Sequence, residues 1–176
     1  MSRRQVVVFI GIAGAGLLAV SAAGWFAGLR INLTPSEPLG LWRIVSVKRP
    51  VARDDLVFVC PPPTAVFALA FERGYLRRGL CPGGFAPLIK TVAALPGQRI
   101  EVAGNVVIDG AALTHSAVRA RDGADRPLEP FAGGIVPAGF VFLTSPYEAS
   151  YDSRYFGPVP ANGVLGLARP LLVFDP

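Results

Sequence analysis

The sequence is poor in the side chains from which most catalytic and metal sites are built. Among 176 residues there is one histidine, His115, and there are two cysteines, Cys60 and Cys81. These three show no recognisable ligand spacing, so no metal site is expected, and no cofactor either. A Ser-His-Asp arrangement would have only His115 as its base. Lysine is nearly as scarce: Lys48 and Lys90 are the only two, and arginine carries most of the positive charge. Charged residues of both signs make up only 16% of the chain against 52% hydrophobic, a balance that argues against disorder. The net charge of +5 comes from scattered basic residues. With no basic helix and no interleaving of aromatic and basic residues, a nucleic-acid partner is not expected. Lys48, Arg49 and Arg53 form the only early basic cluster, which could meet anionic lipid headgroups. Internal repeats and low-complexity tracts are absent. The length suits one membrane segment plus one compact domain and excludes several independent enzymatic domains.

What the sequence does have is one long apolar run. Val6 to Leu29 carries no charge, with Arg3 and Arg4 before it and Arg30 after it. Such a stretch covers the ~30 Å hydrocarbon core of a bilayer. The expected organisation is a cytoplasmic N-terminus over residues 1–5, a transmembrane anchor over 6–29 and an exported domain over 30–176, oriented by the basic residues at the start. A cleavable signal sequence is the competing reading, since Ala19, Ser21, Ala22 and Ala23 offer small residues for a cleavage site. A buried core helix is a third.

Beyond Arg30 the 3.6-residue apolar period fades. Short runs rich in Val, Ile, Leu and Phe alternate with Gly, Pro, Asn and Asp, which predicts a mainly β domain. Strands are expected at Leu41–Val47, Asp55–Cys60, Leu88–Ala94, Arg99–Ala103, Val106–Ile108, Phe140–Thr144 and Leu165–Pro170, with turns at Gly104-Asn105 and Asp109-Gly110. Thr64 to Arg73 is the one helical piece. Export permits oxidation, so Cys60 and Cys81 are expected to form a disulfide flanking that helix, two buried free thiols being the alternative. In the chain-entropy account such a bridge is worth about 3 kcal/mol. Residues 114–134 turn charged and small and are expected to form a surface loop or lid.

Three segments could carry chemistry. In Thr34-Pro35-Ser36-Glu37-Pro38-Leu39-Gly40-Leu41-Trp42 a serine sits between two prolines, in a stiff turn able to present a hydroxyl; an ordinary turn serine is the plainer reading. A serine needs a base, and arginine stays protonated, so lysine is the realistic choice. Lys90 lies in the apolar stretch Pro87-Leu88-Ile89-Lys90-Thr91-Val92, where desolvation would lower its pKa toward neutrality; a solvent-facing lysine on an edge strand is the alternative. In Tyr151-Asp152-Ser153-Arg154-Tyr155-Phe156-Gly157 an adjacent Asp and Arg form either a loop-fixing ion pair or a means of orienting the catalytic groups, and the supporting role is favoured.

Taken in order, these segments resemble the signal-peptidase-like Ser/Lys peptidases of family S26, most closely the conjugative-transfer TraF branch. The resemblance spans the anchor, Ser36 to Trp42, Ile89-Lys90 with Leu95-Pro96-Gly97, and Asp152 to Gly157. It implies a signal-peptidase-like antiparallel β-sheet domain after one N-terminal transmembrane helix, in the bacterial inner (cytoplasmic) membrane, with the catalytic domain facing the periplasm. It also implies Ser36 as nucleophile and Lys90 as general base. Thr34 takes the place of an oxyanion-binding hydroxyl, Ser150 that of the serine beside the lysine, and Asp152 and Arg154 that of the supporting pair. The implied partners are the lipid bilayer, a membrane-inserted pilin precursor that is trimmed and in some members cyclised, and other conjugation or type IV secretion components. Where general signal peptidases have methionine after the nucleophile, this chain has Glu37; Thr91, Gln98 and Thr144-Ser145-Pro146 also depart from their pattern. A general leader peptidase and a catalytically silent scaffold are the alternatives. The short span Ile31 to Pro35 between anchor and nucleophile predicts an apolar rim that dips toward the bilayer.

Overall fold

The computed structural model describes residues 2–174. A projecting helix, α1 (Arg3–Phe26), precedes a mainly β body. The start of α1 is fixed by a reciprocal pair of hydrogen bonds: the Gln5 N–H donates to the Ser2 hydroxyl, and the Ser2 N–H donates to the Gln5 side chain. At 24 residues the helix is about 36 Å long and none of its residues is buried. It is long and apolar enough to cross a membrane.

Gly28 ends this element. Its φ is +79°, and a Cβ there would lie 2.8 Å from the Ile44 carbonyl oxygen. The Gly28 carbonyl accepts the Ile44 N–H, which turns the chain directly into β1 (Leu29–Asn32). The expected anchor runs on to Leu29 because apolarity continues past the turn; the helix itself stops at Phe26. The Arg30 guanidinium lies over the Trp25 ring, 3.5 Å from its centroid, a pairing suited to a membrane-water interface.

The remaining elements, in order, are β2 (Leu39–Val45), β3 (Leu56–Val59), α2 (Ala65–Glu72), β4 (Arg78–Cys81), β5 (Leu88–Ala94), β6 (Arg99–Ala103), β7 (Asn105–Ile108), β8 (Ala111–Ala112), β9 (Gly134–Ile135), β10 (Phe140–Thr144), α3 (Ser153–Phe156), β11 (Val159–Pro160) and β12 (Val164–Phe174). With β1, the strands other than β4 form a seven-stranded sheet in the order β1-β2-β12-β3-β5-β10-β11 and a four-stranded sheet in the order β8-β7-β6-β9. Every pairing is antiparallel. The mainly β expectation holds. The strands missing from the sequence reading are β1 and β4, of four residues each, and β8, β9 and β11, which at two residues are too brief for an alternating pattern to show.

The central strands are covered on both faces. Val57, Val59, Val92, Val141 and Leu143 pack with Phe67 of α2, while Phe58 and Ile89 turn the other way to join Trp42 and Ala168. A further cluster of Ala94, Ile100, Val106, Ile108 and Phe142 joins the two sheets. The excursion between β3 and β5, which carries α2 and β4, is closed by a Cys60–Cys81 disulfide with Cα atoms 5.4 Å apart, as expected. The 114–134 stretch has little regular structure yet is fastened at several points. The buried Ser116 hydroxyl accepts the Val106 N–H and donates to the Leu113 carbonyl, Tyr75 donates to Asp122, and the Phe131 N–H donates to the Arg154 carbonyl.

Candidate active site

The segment bearing Ser36 lies between β1 and β2 and is organised by one side chain. Asn32, at the end of β1, is buried; its Nδ2 donates to the carbonyls of Thr34, Glu37 and Pro38 at 2.9, 2.9 and 3.0 Å. Its Oδ1 accepts the Thr34 N–H at 3.1 Å and the Thr34 hydroxyl at 2.7 Å. One amide thus satisfies backbone groups that two prolines and an irregular path would leave without ladder partners. Two more contacts fix the turn from outside. The Trp42 indole N–H donates to the Pro38 carbonyl at 2.9 Å, and the Ser145 hydroxyl donates to the Ser36 carbonyl. Gly40, in the same motif, has φ +127°, and a Cβ there would meet the Leu172 carbonyl oxygen at 2.2 Å, so the β2-β12 pairing requires glycine.

Lys90 arrives on β5, an interior strand between β3 and β10, so it is no edge-strand lysine. Alternation along the strand puts it on the same face as Leu88 and Val92, and its exposure is 2%. Nζ donates to the Ser150 hydroxyl at 2.8 Å. Burial pushes the Lys90 ammonium down to about 8, against the opposing pull of Asp152 and Glu37. Such a group is partly neutral near pH 7 and can accept a proton.

Ser36 and Lys90 line one cavity of about 890 Å³, together with Thr34, Leu88, Ser150 and Tyr151. The other end of the lysine's setting is a buried ion pair. Arg154 and Asp152 are both wholly buried and meet through two parallel bonds, Nε to Oδ1 and Nη2 to Oδ2, each 2.8 Å. Arg154 also donates to the carbonyls of Ala117, Tyr147 and Ser150, while Asp152 accepts the Ser145 N–H. The pair therefore fixes the 145–152 loop, which supplies both Ser145 to the Ser36 turn and Ser150 to Lys90. Neither residue lines the cavity.

Thr34 lines the cavity, but its hydroxyl hydrogen points to Asn32: Asn32 spends its nitrogen on three carbonyls, so the atom facing Thr34 is an acceptor. Stabilising an oxyanion would require this hydroxyl to rotate. Among the described residues the Ser36 N–H meets no acceptor. His115 sits on an exposed turn away from the cavity, and Lys48 is also exposed.

Three residues of this region went unnoticed as site builders in the sequence. Asn32 had one signal, a lone amide between Ile31 and Leu33 at the end of an apolar run. Ser145 had none, since it meets Ser36 across 109 positions. Glu37 appeared only as a departure from a pattern. In the structure it is buried, its Oε1 has no hydrogen-bond partner among the described residues, and burial pushes its carboxyl up to about 7 while the charge of Lys90 pulls the other way.

Known proteins resemble the chain along its whole length. The chain is 58% identical to "Conjugal transfer protein TraF" of Agrobacterium fabrum over 176 residues, all of both chains. It is 33% identical to "Plasmid transfer protein TraF" of Escherichia coli over 180 residues, 99% of this chain and all of that one. A solved signal peptidase I from Enterococcus faecalis V583 is a much looser likeness, 24% identical with a TM-score of 0.42, covering 69% of this chain and 98% of that one. The family described as "Signal peptidase, peptidase S26" matches residues 2–173, and the chain belongs to it.

Proposed function

We propose that this chain is a membrane-anchored serine peptidase of conjugative transfer in which Ser36 is the nucleophile and Lys90 the general base. The observation that carries the proposal is the setting of Lys90: an amine buried on an interior strand, held by Ser150, opening on the same cavity as Ser36. A lysine is costly to bury without a partner carboxylate in contact, and a lowered pKa is what proton abstraction from a serine needs. The neutral amine takes the Ser36 proton as Oγ attacks the scissile carbonyl. The resulting ammonium returns the proton to the departing amine, leaving an acyl ester on Ser36. The Ser36 N–H is a donor for the oxyanion, and Thr34 is a second once its hydroxyl turns from Asn32.

The substrate proposed is a membrane-inserted pilin precursor, in keeping with the names of the TraF relatives. Water resolving the ester would release a trimmed protein, while the precursor's own N-terminal amine would close a ring and regenerate the Ser36 hydroxyl. The proposed placement is an inner-membrane anchor formed by α1, with the body on the periplasmic side. Exposed apolar residues collect beside the anchor: Ile31 of β1 and Leu172 of β12 both pair with Leu41 of β2, and Phe174 pairs with Leu39. Such a rim suits contact with the bilayer surface near a membrane-held substrate.

The test is mass spectrometry of a pilin precursor co-expressed with the wild type, with Ser36→Ala and with Lys90→Ala. A trimmed product with the wild type alone supports the peptidase, and a further loss of one water supports ring closure. Equal masses in all three would refute the dyad on that substrate.

A further inference from the structure

The cavity that holds Ser36 and Lys90 also has a cationic wall to which the proposed chemistry gives no task. Arg77 and Arg78 line it, and no aspartate or glutamate does. Both arginines are exposed, and among the described residues neither guanidinium is paired with a carboxylate. Arg77 Nη2 donates to the Leu33 carbonyl at 3.2 Å, which ties the group to the segment leading to Ser36 and leaves its other N–H groups available.

The backbone that carries the wall is firmly placed. Arg78 begins β4, which ends at Cys81 in the disulfide. The Arg77 carbonyl accepts the Ala86 N–H at 2.8 Å, and a Cβ on Gly79 would fall 2.4 Å from the Ala86 Cα, so this strand and the returning chain are in close backbone contact. Arg78 also lies over the Phe71 ring, 5.7 Å from its centroid, and each of the two guanidinium groups lining the cavity can take a carboxylate through two parallel N–H···O bonds.

We propose that Arg77 and Arg78 form a carboxylate-binding subsite, so that the peptide cleaved at Ser36 carries a carboxylate close to the scissile bond. Leu33 and Ser36 are three residues apart, a span of at most about 11 Å, so the carboxylate lies within about three residues of the bond in an extended peptide. An acidic side chain and a free C-terminal carboxylate share this chemistry, and either would be drawn into a cavity whose charged groups are otherwise cationic. The proposal rests on the peptidase reading above.

The experiment uses the full chain in detergent micelles with a mixed peptide library, each peptide made with a free and an amidated C-terminus, and identifies cleavage sites by mass spectrometry. Ser36→Ala provides the background. The wild type is expected to cleave peptides with Asp or Glu within three residues of the bond, or with a free terminus at that distance, about fivefold faster or more than their Gln, Asn or amidated counterparts. In the double variant Arg77→Gln/Arg78→Gln that ratio should fall to one. A ratio is insensitive to loss of folded enzyme, which slows both peptides alike. Preference that follows side chains identifies an acidic residue as the ligand, and preference that follows amidation identifies the terminus. Ser36-dependent cleavage with a wild-type ratio of one, or a ratio kept by the double variant, overturns the subsite alone. Arginine variants that lose activity only in bilayers rich in anionic lipid, without any charge preference in peptides, would assign the pair to lipid headgroups and overturn it too. If no peptide is cleaved in a Ser36-dependent way, the peptidase reading falls and takes the subsite with it.

Discussion

Replacing Lys90 with methionine should abolish activity and at the same time stabilise the folded chain. Burial lowers the Lys90 pKa from 10.5 to about 8, a shift of about 2.5 units, which at 1.36 kcal/mol per unit costs the fold about 3 kcal/mol at neutral pH. Methionine has a similar length and no charge to desolvate. It gives up the hydrogen bond to Ser150, worth about 1 kcal/mol, and leaves Glu37 and Asp152 without a nearby ammonium, so the net gain expected is about 1–2 kcal/mol. For a domain of this size that corresponds to a rise in Tm of roughly 2–8 °C.

The pH dependence separates this cause from generic repacking. Between the folded value near 8 and the unfolded value near 10.5 the unfolded chain binds more protons at Lys90 than the folded one, so wild-type stability climbs with pH through that window. The penalty is fully present below about pH 8 and gone above about pH 10.5. Glu37 titrates near pH 7 and feels the Lys90 charge, so the clean window lies above it: the advantage of Lys90→Met should shrink between about pH 8 and pH 9.5. Thermal unfolding of both proteins in the same detergent, followed by tryptophan fluorescence, measures it. A variant less stable than wild type at pH 7, or a difference that does not narrow at high pH, would refute the account of Lys90 as a desolvated amine. The wild-type pH-rate profile offers a second reading of the same group: kcat/KM for a cleaved peptide should rise with pH through about 8, with roughly one-tenth of the plateau at pH 7.

The remaining predictions concern the supports of the dyad. Ser150→Ala removes the hydroxyl that holds Lys90 Nζ and should lower kcat about 10- to 100-fold with little change in KM, measured by steady-state peptide cleavage. Asp152→Asn leaves the Arg154 guanidinium buried without its counter-charge and should cost about 3–5 kcal/mol, seen as a fall in unfolding midpoint or in yield of folded protein. Replacing Cys60 and Cys81 together with serine should cost about 3 kcal/mol by releasing the excursion that carries α2 and β4, with limited proteolysis cutting first between residues 61 and 80; unchanged midpoints with and without reductant would count against it.

What was legible in the sequence follows from how far each signal reaches along the chain. Ile89-Lys90 is local: the strand was readable there, while the burial of the lysine stood against an edge-strand alternative that only the strand order removes. The longer strands were readable for the same reason, since β2, β5, β6, β10 and β12 each contain enough residues to show their pattern. The end of α1 was not, because the signal is conformational: Gly28 stops the helix by its backbone angle and its approach to Ile44, while hydropathy continues to Leu29. The two serines that complete the site differ in the same way. Ser150 was reachable only through the family pattern and Ser145 not at all, because their partners are 60 and 109 positions away and nothing in either neighbourhood encodes the meeting. What brings them there is the Asp152–Arg154 pair, whose closeness is visible in the sequence but whose acceptors, the Ala117, Tyr147 and Ser150 carbonyls, are settled by folding. Two unlike charges two residues apart normally mark a solvated turn. Here their removal from water is tolerable because nearly every donor and acceptor on both groups is spent, and that requirement forces the loop carrying Ser145 and Ser150 to close over them. The ion pair therefore helps the site chiefly by leaving the loop few other conformations, which is why its loss should show in stability before it shows in chemistry.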